Sequence, residues 1–362
     1  MTLKCEMTVV SDAEHLQQIY TGFKLLDDKN IVNLKQIIPK EFLLNKQDST
    51  RWDDYEFFNI TVIINHKIRV CYDTHDWNWI DESVLRGVDF YFKRSYDENY
   101  LAQLNEKHKV FPLGLNYQVS SDKVDLFRLK RAAFYAGKDK IKLILKALRI
   151  DNFLPNSETE RLDRMESAPD FSLEPKILLM ARAWNTETIL DPAQTEIVEE
   201  INEIRAAAIR KLRLEFGEKF FGGLMRDDYS EKHFKDVLLP DNSLSNKRNY
   251  LKTLKSFPIC VTTKGLNNSN GWKLGEYVAF SKAIVTEPLH FQVTGNFAKE
   301  KNYLEFTNTN ELISSVSRLF DDKNLRDSLM KNNHDYYRNF VRPDALVLNT
   351  LKIVAAHCGI SL

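Results

Sequence analysis

The chain is short of the features that place a protein quickly. Cysteine is scarce, with Cys5, Cys71, Cys260 and Cys358 spread widely and no CxxC pair among them. Neither a disulfide framework nor a zinc site is supported. Cys71 and Cys260 sit inside apolar runs, where a reduced cysteine acts as a small hydrophobe. No sign of charge dominates, because Lys+Arg and Asp+Glu balance at 51 each. A whole-chain field for nucleic acid is therefore absent, and no nucleic-acid partner is expected. No apolar run is long enough to cross a bilayer. The start, Met1-Thr-Leu-Lys-Cys-Glu-Met, lacks a basic-then-apolar signal pattern. Internal repeats and low-complexity tracts are missing too. What these absences leave is a cytoplasmic, reduced, globular protein.

At 362 residues the chain exceeds a comfortable single core, and two domains are the natural expectation. Strand-like and helix-like segments alternate, which predicts α/β layering. Strands are expected at 3–10, 31–38, 55–64, 67–72, 89–92 and 109–113. Ser11-Asp-Ala-Glu14 reads as a capping box opening a helix toward Leu26, and helical patterns fill 122–150. The polar stretch 151–170 reads as a linker. The α/β pattern restarts with Lys176-Ile-Leu-Leu-Met-Ala-Arg-Ala-Trp184. Asp191-Pro192 marks a helix start, with Asp as N-cap and Pro in the first turn. The expected division is a first domain at 1–165, a second at 172–341 and a terminal helix at 342–362 that packs back on the first.

The segment Gly271-Trp-Lys-Leu-Gly-Glu276-Tyr-Val-Ala-Phe-Ser-Lys-Ala-Ile-Val-Thr-Glu287-Pro288 follows Pro258-Ile-Cys-Val-Thr-Thr-Lys-Gly265. Together they read as strand, loop, helix, strand. A helix N-terminus at Gly271 attracts phosphate, and Glu276 nearby is a carboxylate able to accept hydrogen bonds from a ribose diol. Lys264 and Lys273 flank the loop as point charges. A solvated Glu276 and ordinary exposed cations are the plainer readings.

From Lys176 to Val341 the chain resembles the second domain of GT-B glycosyltransferases, of the group 1 and CgeB-like kind. The resemblance is carried by the site helix with Trp272 and Glu276 and by the tail Asn302-Tyr-Leu-Glu-Phe, Asn310-Glu-Leu-Ile, Leu319-Phe-Asp-Asp and Asn332-Asn-His-Asp-Tyr-Tyr. It implies two Rossmann-like domains with parallel sheets facing each other across a cleft. It also implies a nucleotide-sugar donor, ribose held at Glu276, and Arg182 against the diphosphate. No resident cofactor and no metal ion are implied. Many retaining members carry a second glutamate eight positions earlier. Here that place is Asn268, which leans toward inversion and leaves Asn268 a neighbour of the donor.

The first half is less recognisable. Its densest polar cluster, Cys71-Tyr-Asp73-Thr-His75-Asp76-Trp-Asn78-Trp79, follows an apolar strand. An inverting transferase needs a general base for the acceptor hydroxyl, and Asp73, Asp76 or His75 suits it. Trp77 and Trp79 offer faces for a sugar ring, while an Asp/Asn turn is the plainer reading. The stretch Lys138-Asp-Lys140-Ile-Lys142-Leu-Ile-Leu-Lys146 is a basic amphipathic helix. Such a helix can dock on anionic lipid, in keeping with a glycan or lipid-linked glycan acceptor at the inner membrane face. A solvated face is its common alternative. The rival functions are a nucleotide-sugar epimerase on the same fold and a non-catalytic glycan- or nucleotide-binding adaptor.

Overall fold

The computed structural model describes residues 2–9, 11, 13–39, 58–121, 129–130, 132–148, 150 and 160–362. Much of the helical pattern expected before residue 137, and residues 151–159 of the linker reading, lie outside these, as does the start of the strand expected from 55. The chain divides into two compact units. One comprises Met1–Met165, Phe291–Gly295 and Arg338–Leu362, the other Glu166–His290 and Asn296–Tyr337.

In the first unit β1 (Leu3–Thr8) leads through a single 3-10 turn into α1 (Gln17–Asp28), then β2 (Val32–Ile37), β3 (Asn59–Ile64) and β4 (Ile68–Asp73). The short α2 (Glu82–Arg86), β5 (Phe90–Lys93), α3 (Glu98–Leu101), β6 (Val110–Pro112) and α4 (Gly137–Ala147) follow. Among the described residues these strands form a six-stranded sheet in the order β2-β1-β3-β4-β5-β6. All pairs are parallel except those of β3, which runs antiparallel to both β1 and β4. The expected α/β class is observed, with this one reversed strand inserted. The expected capping box does not form. The Ser11 hydroxyl accepts from the Ala13 N–H instead, and α1 starts only at Gln17.

Alternation in β1 sends Leu3, Cys5 and Met7 into the core while Lys4 and Thr8 face out. They meet Ile19, Phe23 and Leu26 of α1, and Leu346, Val347, Leu351 and Val354 of the last helix, Pro343–Cys358. That helix crosses α1 at Gly22, where a Cβ would lie 2.3 Å from the Pro343 carbonyl oxygen. Only glycine permits so close a crossing.

The second unit opens with β7 (Ile177–Ala181), buried along its length as a central parallel strand must be. Then come α5 (Pro192–Phe216), β8 (Phe220–Leu224), α6 (Asp228–His233), α7 (Lys247–Lys255), β9 (Ile259–Thr262), α8 (Trp272–Ala279) and β10 (Ala283–Thr286). β11 (Tyr303–Glu305), α9 (Thr309–Asp321) and α10 (Lys323–Tyr336) complete it, and α11 is the last helix, Pro343–Cys358, already placed in the first unit. The Asp191 side chain caps α5 by accepting from the Ala193 N–H, as the Asp-Pro pair predicts. The sheet is parallel throughout, in the order β11-β10-β9-β7-β8. The chain winds outward from β7 in both directions, so the order reverses between β7 and β9. In such sheets ligands bind outside the carboxyl ends of the strands at that reversal.

Candidate active site

At this end of the second sheet the loops after β7 and β9 are held together by one side chain. Arg205, buried on α5, donates to the Thr263 hydroxyl at 3.0 Å and to the carbonyls of Arg182 at 2.6 Å and Lys264 at 3.0 Å. Burial pulls its guanidinium down to about 10, which leaves it charged at neutral pH. Three loop groups thus share one fixed cation. The β9 loop then turns sharply through Asn267 and Asn268, both left-handed at φ 55° and 56°. Asparagine tolerates that conformation better than most residues. The turn closes with the Gly265 N–H on the Ser269 carbonyl at 2.9 Å.

Beyond the turn lies a small pocket, partly open to solvent, whose interior has room for about one water molecule. Its walls are Thr262 to Lys264, Asn268 to Gly271, Leu274, and Thr286 to Leu289. Lys264, Asn268 and Gly271, singled out from the sequence, are among these lining residues. Glu287, which that reading left unassigned, closes the far side. Its carboxylate is nine-tenths buried and accepts the Lys264 N–H at 2.9 Å. Burial pushes its pKa up from the ordinary value, only partly offset by Lys264 and Arg205.

Trp272, Lys273 and Glu276 lie on α8 but do not line this pocket. Glu276 turns toward α7, where Lys247 Nζ meets one carboxylate oxygen at 2.5 Å and the Tyr250 hydroxyl donates to the other at 2.7 Å. Burial raises its pKa, but Lys247 and Lys273 outweigh that and hold it below the ordinary value. Lys273 Nζ sits 4.2 Å from the Tyr250 ring centre, and burial pushes it down to about 8. Both oxygens of Glu276 are thus engaged within the protein, a ribose-binding Glu276 having been expected. Arg182 is exposed at the end of β7, its guanidinium 5.7 Å from the Trp184 ring centre.

In the first unit Asp73, His75 and Asp76 do emerge at the end of β4, but they differ in access. Asp73 is fully buried: Tyr91 and Lys93 donate to one oxygen, the latter at 2.8 Å, and His75 Nδ1 lies 2.7 Å from the other. Burial would raise its pKa, yet Lys93 and His75 hold it well below the usual carboxylate range. A base must reach its substrate's proton, and Asp73 as placed meets only protein groups. The oxygen facing Nδ1 also accepts the His75 backbone N–H at 2.9 Å, so Asp73 fixes the orientation of the His75 ring. His75 is itself buried, between Phe58 and Trp77. Asp76 is the accessible carboxylate, 36% exposed and paired with Arg94 at 2.5 Å. Trp77 and Trp79 stack nearly parallel with centroids 5.4 Å apart, and Trp79 is 43% exposed. The cluster is one preorganised network, not a loose turn.

No family model and no curated protein matches the sequence. Solved structures do match in shape. The C-terminal domain of a glycosyl transferase group 1 family protein, LpcC from Francisella tularensis, is 14% identical at a TM-score of 0.33, covering 49% of this chain and 95% of that one. A glycosyltransferase from Rickettsia africae is 10% identical at 0.45, covering 98% of each chain. A putative UDP-N-acetylglucosamine 2-epimerase from Listeria monocytogenes is 9% identical at 0.40, covering 99% of this chain and 97% of that one.

Proposed function

We propose that the chain is a glycosyltransferase of the GT-B kind, taking a nucleotide-sugar donor in its second unit and passing the sugar to a hydroxyl of a glycan acceptor. The observation that supports this is the pocket at the carboxyl ends of β9 and β10, beside the reversal of strand order. Arg182 offers an exposed guanidinium at the carboxyl end of β7, a group suited to offsetting a leaving diphosphate. Asp76 in the first unit is the base: it takes the acceptor proton as the new C1–O bond forms and the donor C1–O bond breaks, its electron pair leaving with the diphosphate. Asn268, in place of a second carboxylate, goes with inversion at C1, and the GT-B resemblance implies no metal ion.

The reading is tested by a thermal-shift panel of nucleoside diphosphates and their sugars, followed by product analysis. A ligand that binds only the folded state raises the melting temperature. Stabilisation by one nucleotide family, and transfer only when acceptor is added, is the expected result. Turnover of the nucleotide sugar without acceptor would make the protein an epimerase. No response to any nucleotide would overturn the reading.

The acceptor is proposed to be presented on a lipid surface. On α4, Ile141 and nearby Leu148 are exposed beside Lys138, Lys140 and Lys142, a pairing of apolar and basic groups that suits anionic headgroups. Sedimentation with phosphatidylglycerol vesicles, but not with phosphatidylcholine vesicles, is expected. Equal behaviour with both would remove the membrane from the proposal.

A further inference from the structure

The long helix α5 turns Val198, Ile201, Arg205, Ile209 and Leu212 into the core of the second unit. Along its outer side run Ile197, Glu200, Ile204, Ala207, Lys211 and Leu214. Ile197 is 51% and Leu214 77% exposed, while Ile204, Ala207 and Lys211 are half-buried between them. Single exposed apolar residues are ordinary on a protein surface. These are not scattered singly. Their spacing alternates between three and four residues, which is the a/d repeat of a seam between two helices.

The stripe is also matched end to end about its midpoint. Turned around, Ile197 falls on Leu214, Glu200 on Lys211 and Ile204 on Ala207. A second copy of α5 laid antiparallel therefore meets large against small at the centre, opposite charges on either side of it, and apolar pairs at both ends. A parallel copy would set Glu200 on Glu200 and Lys211 on Lys211. An antiparallel copy slipped by one heptad would set Glu200 on Ile204 or Lys211 on Ala207, leaving a charge against apolar surface. One register satisfies every position. Charged layers in a seam lower its stability but fix partner and register. Lys211 already reaches Glu215 of its own helix at 3.0 Å, with both side chains part exposed. Such a pair is weak and does not hold the ammonium back from a better partner.

We infer that this face of α5 is the contact of a homodimer, in which α5 pairs antiparallel with α5 of a second copy about a two-fold axis. Pairs of this isologous kind are the commonest oligomers. The six positions span about 25 Å of helix, which is little for a permanent interface. The dimer is therefore expected to dissociate on dilution. The inference stands apart from the donor reading and does not depend on it.

Sedimentation velocity of the full chain across a dilution series tests it. Wild type should pass from dimer to monomer as it is diluted. Glu200→Lys sets cation on cation in both charged layers, and Lys211→Glu sets acid on acid. Like charges facing each other across an interface are costly, so each variant should associate about tenfold more weakly, or worse. Combining Glu200→Lys with Lys211→Glu restores unlike pairs in the antiparallel register and not in a parallel one. That double variant should regain wild-type association. An equimolar mixture of the two single variants should also associate, because every charged layer then pairs unlike groups. Glu200 is exposed and Lys211 partly so, so the substitutions should leave the fold intact, which circular dichroism checks. A wild type that stays monomeric at every concentration would overturn the inference and leave the stripe to a partner of another kind. A dimer indifferent to both single substitutions would overturn it too, as would a double variant no better than the singles.

Discussion

At the scale of single residues, the first unit separates two aspartates that the sequence presents as equals. Asp73 and Asp76 are three positions apart in one polar run. One is sealed against Lys93, and the other stands at the surface. Removing one partner of a buried ion pair costs about 3–5 kcal/mol, because the remaining charge is stranded. Asp73→Asn should therefore lower stability by about that amount in urea denaturation. Its folded pKa is depressed, so this contribution is present above the unfolded value of 3.8 and is lost as pH falls below it. Asp76→Asn should cost only about 1 kcal/mol while lowering turnover by about a hundredfold. Equal stability losses would contradict the division of roles. The polar run told where the cluster lies, at a strand's end. It held no sign of depth, because depth comes from Phe58, just before β3, and from Tyr91 and Lys93 on β5. Glu287 and Arg205 escaped for the same reason: one is a strand-end acid, the other a mid-helix arginine, and only the fold brings them to one loop.

Elements were more legible than contacts. β10 spans the residues that its apolar run predicts, and α5 begins where Asp191-Pro192 says it should. These signals are local, so the sequence carries them. Strand direction is not local. The reversal of β3 depends on its two partners, and alternation alone is silent on it. The crossing of α1 and α11 is also a property of pairs. An exposed helical glycine gains roughly 0.8–1 kcal/mol when changed to alanine. At Gly22 the new methyl would meet a backbone carbonyl and the Val347 side chain, and overpacking of this kind costs about 1–3 kcal/mol. Gly22→Ala should lower the urea midpoint; a higher midpoint would show that the crossing yields easily.

For the whole molecule, the path of the chain matters more than its composition. The first unit takes its first 165 residues from one end of the sequence and its last helix from the other. Leu346, Val347, Leu351 and Val354 are core residues of that unit, and the Tyr72 hydroxyl lies 2.8 Å from Thr350 Oγ1. Synthesis runs from the N-terminus at about 5–20 residues per second, and domains commonly fold as they emerge. Here the earlier unit cannot close when its own sheet has been made. For roughly ten to forty seconds at those rates it waits, with the groove of α1 uncovered, while the later unit is made and folds. The second unit is thus the first to finish, and the nascent chain offers a chaperone an apolar face until the ribosome releases α11.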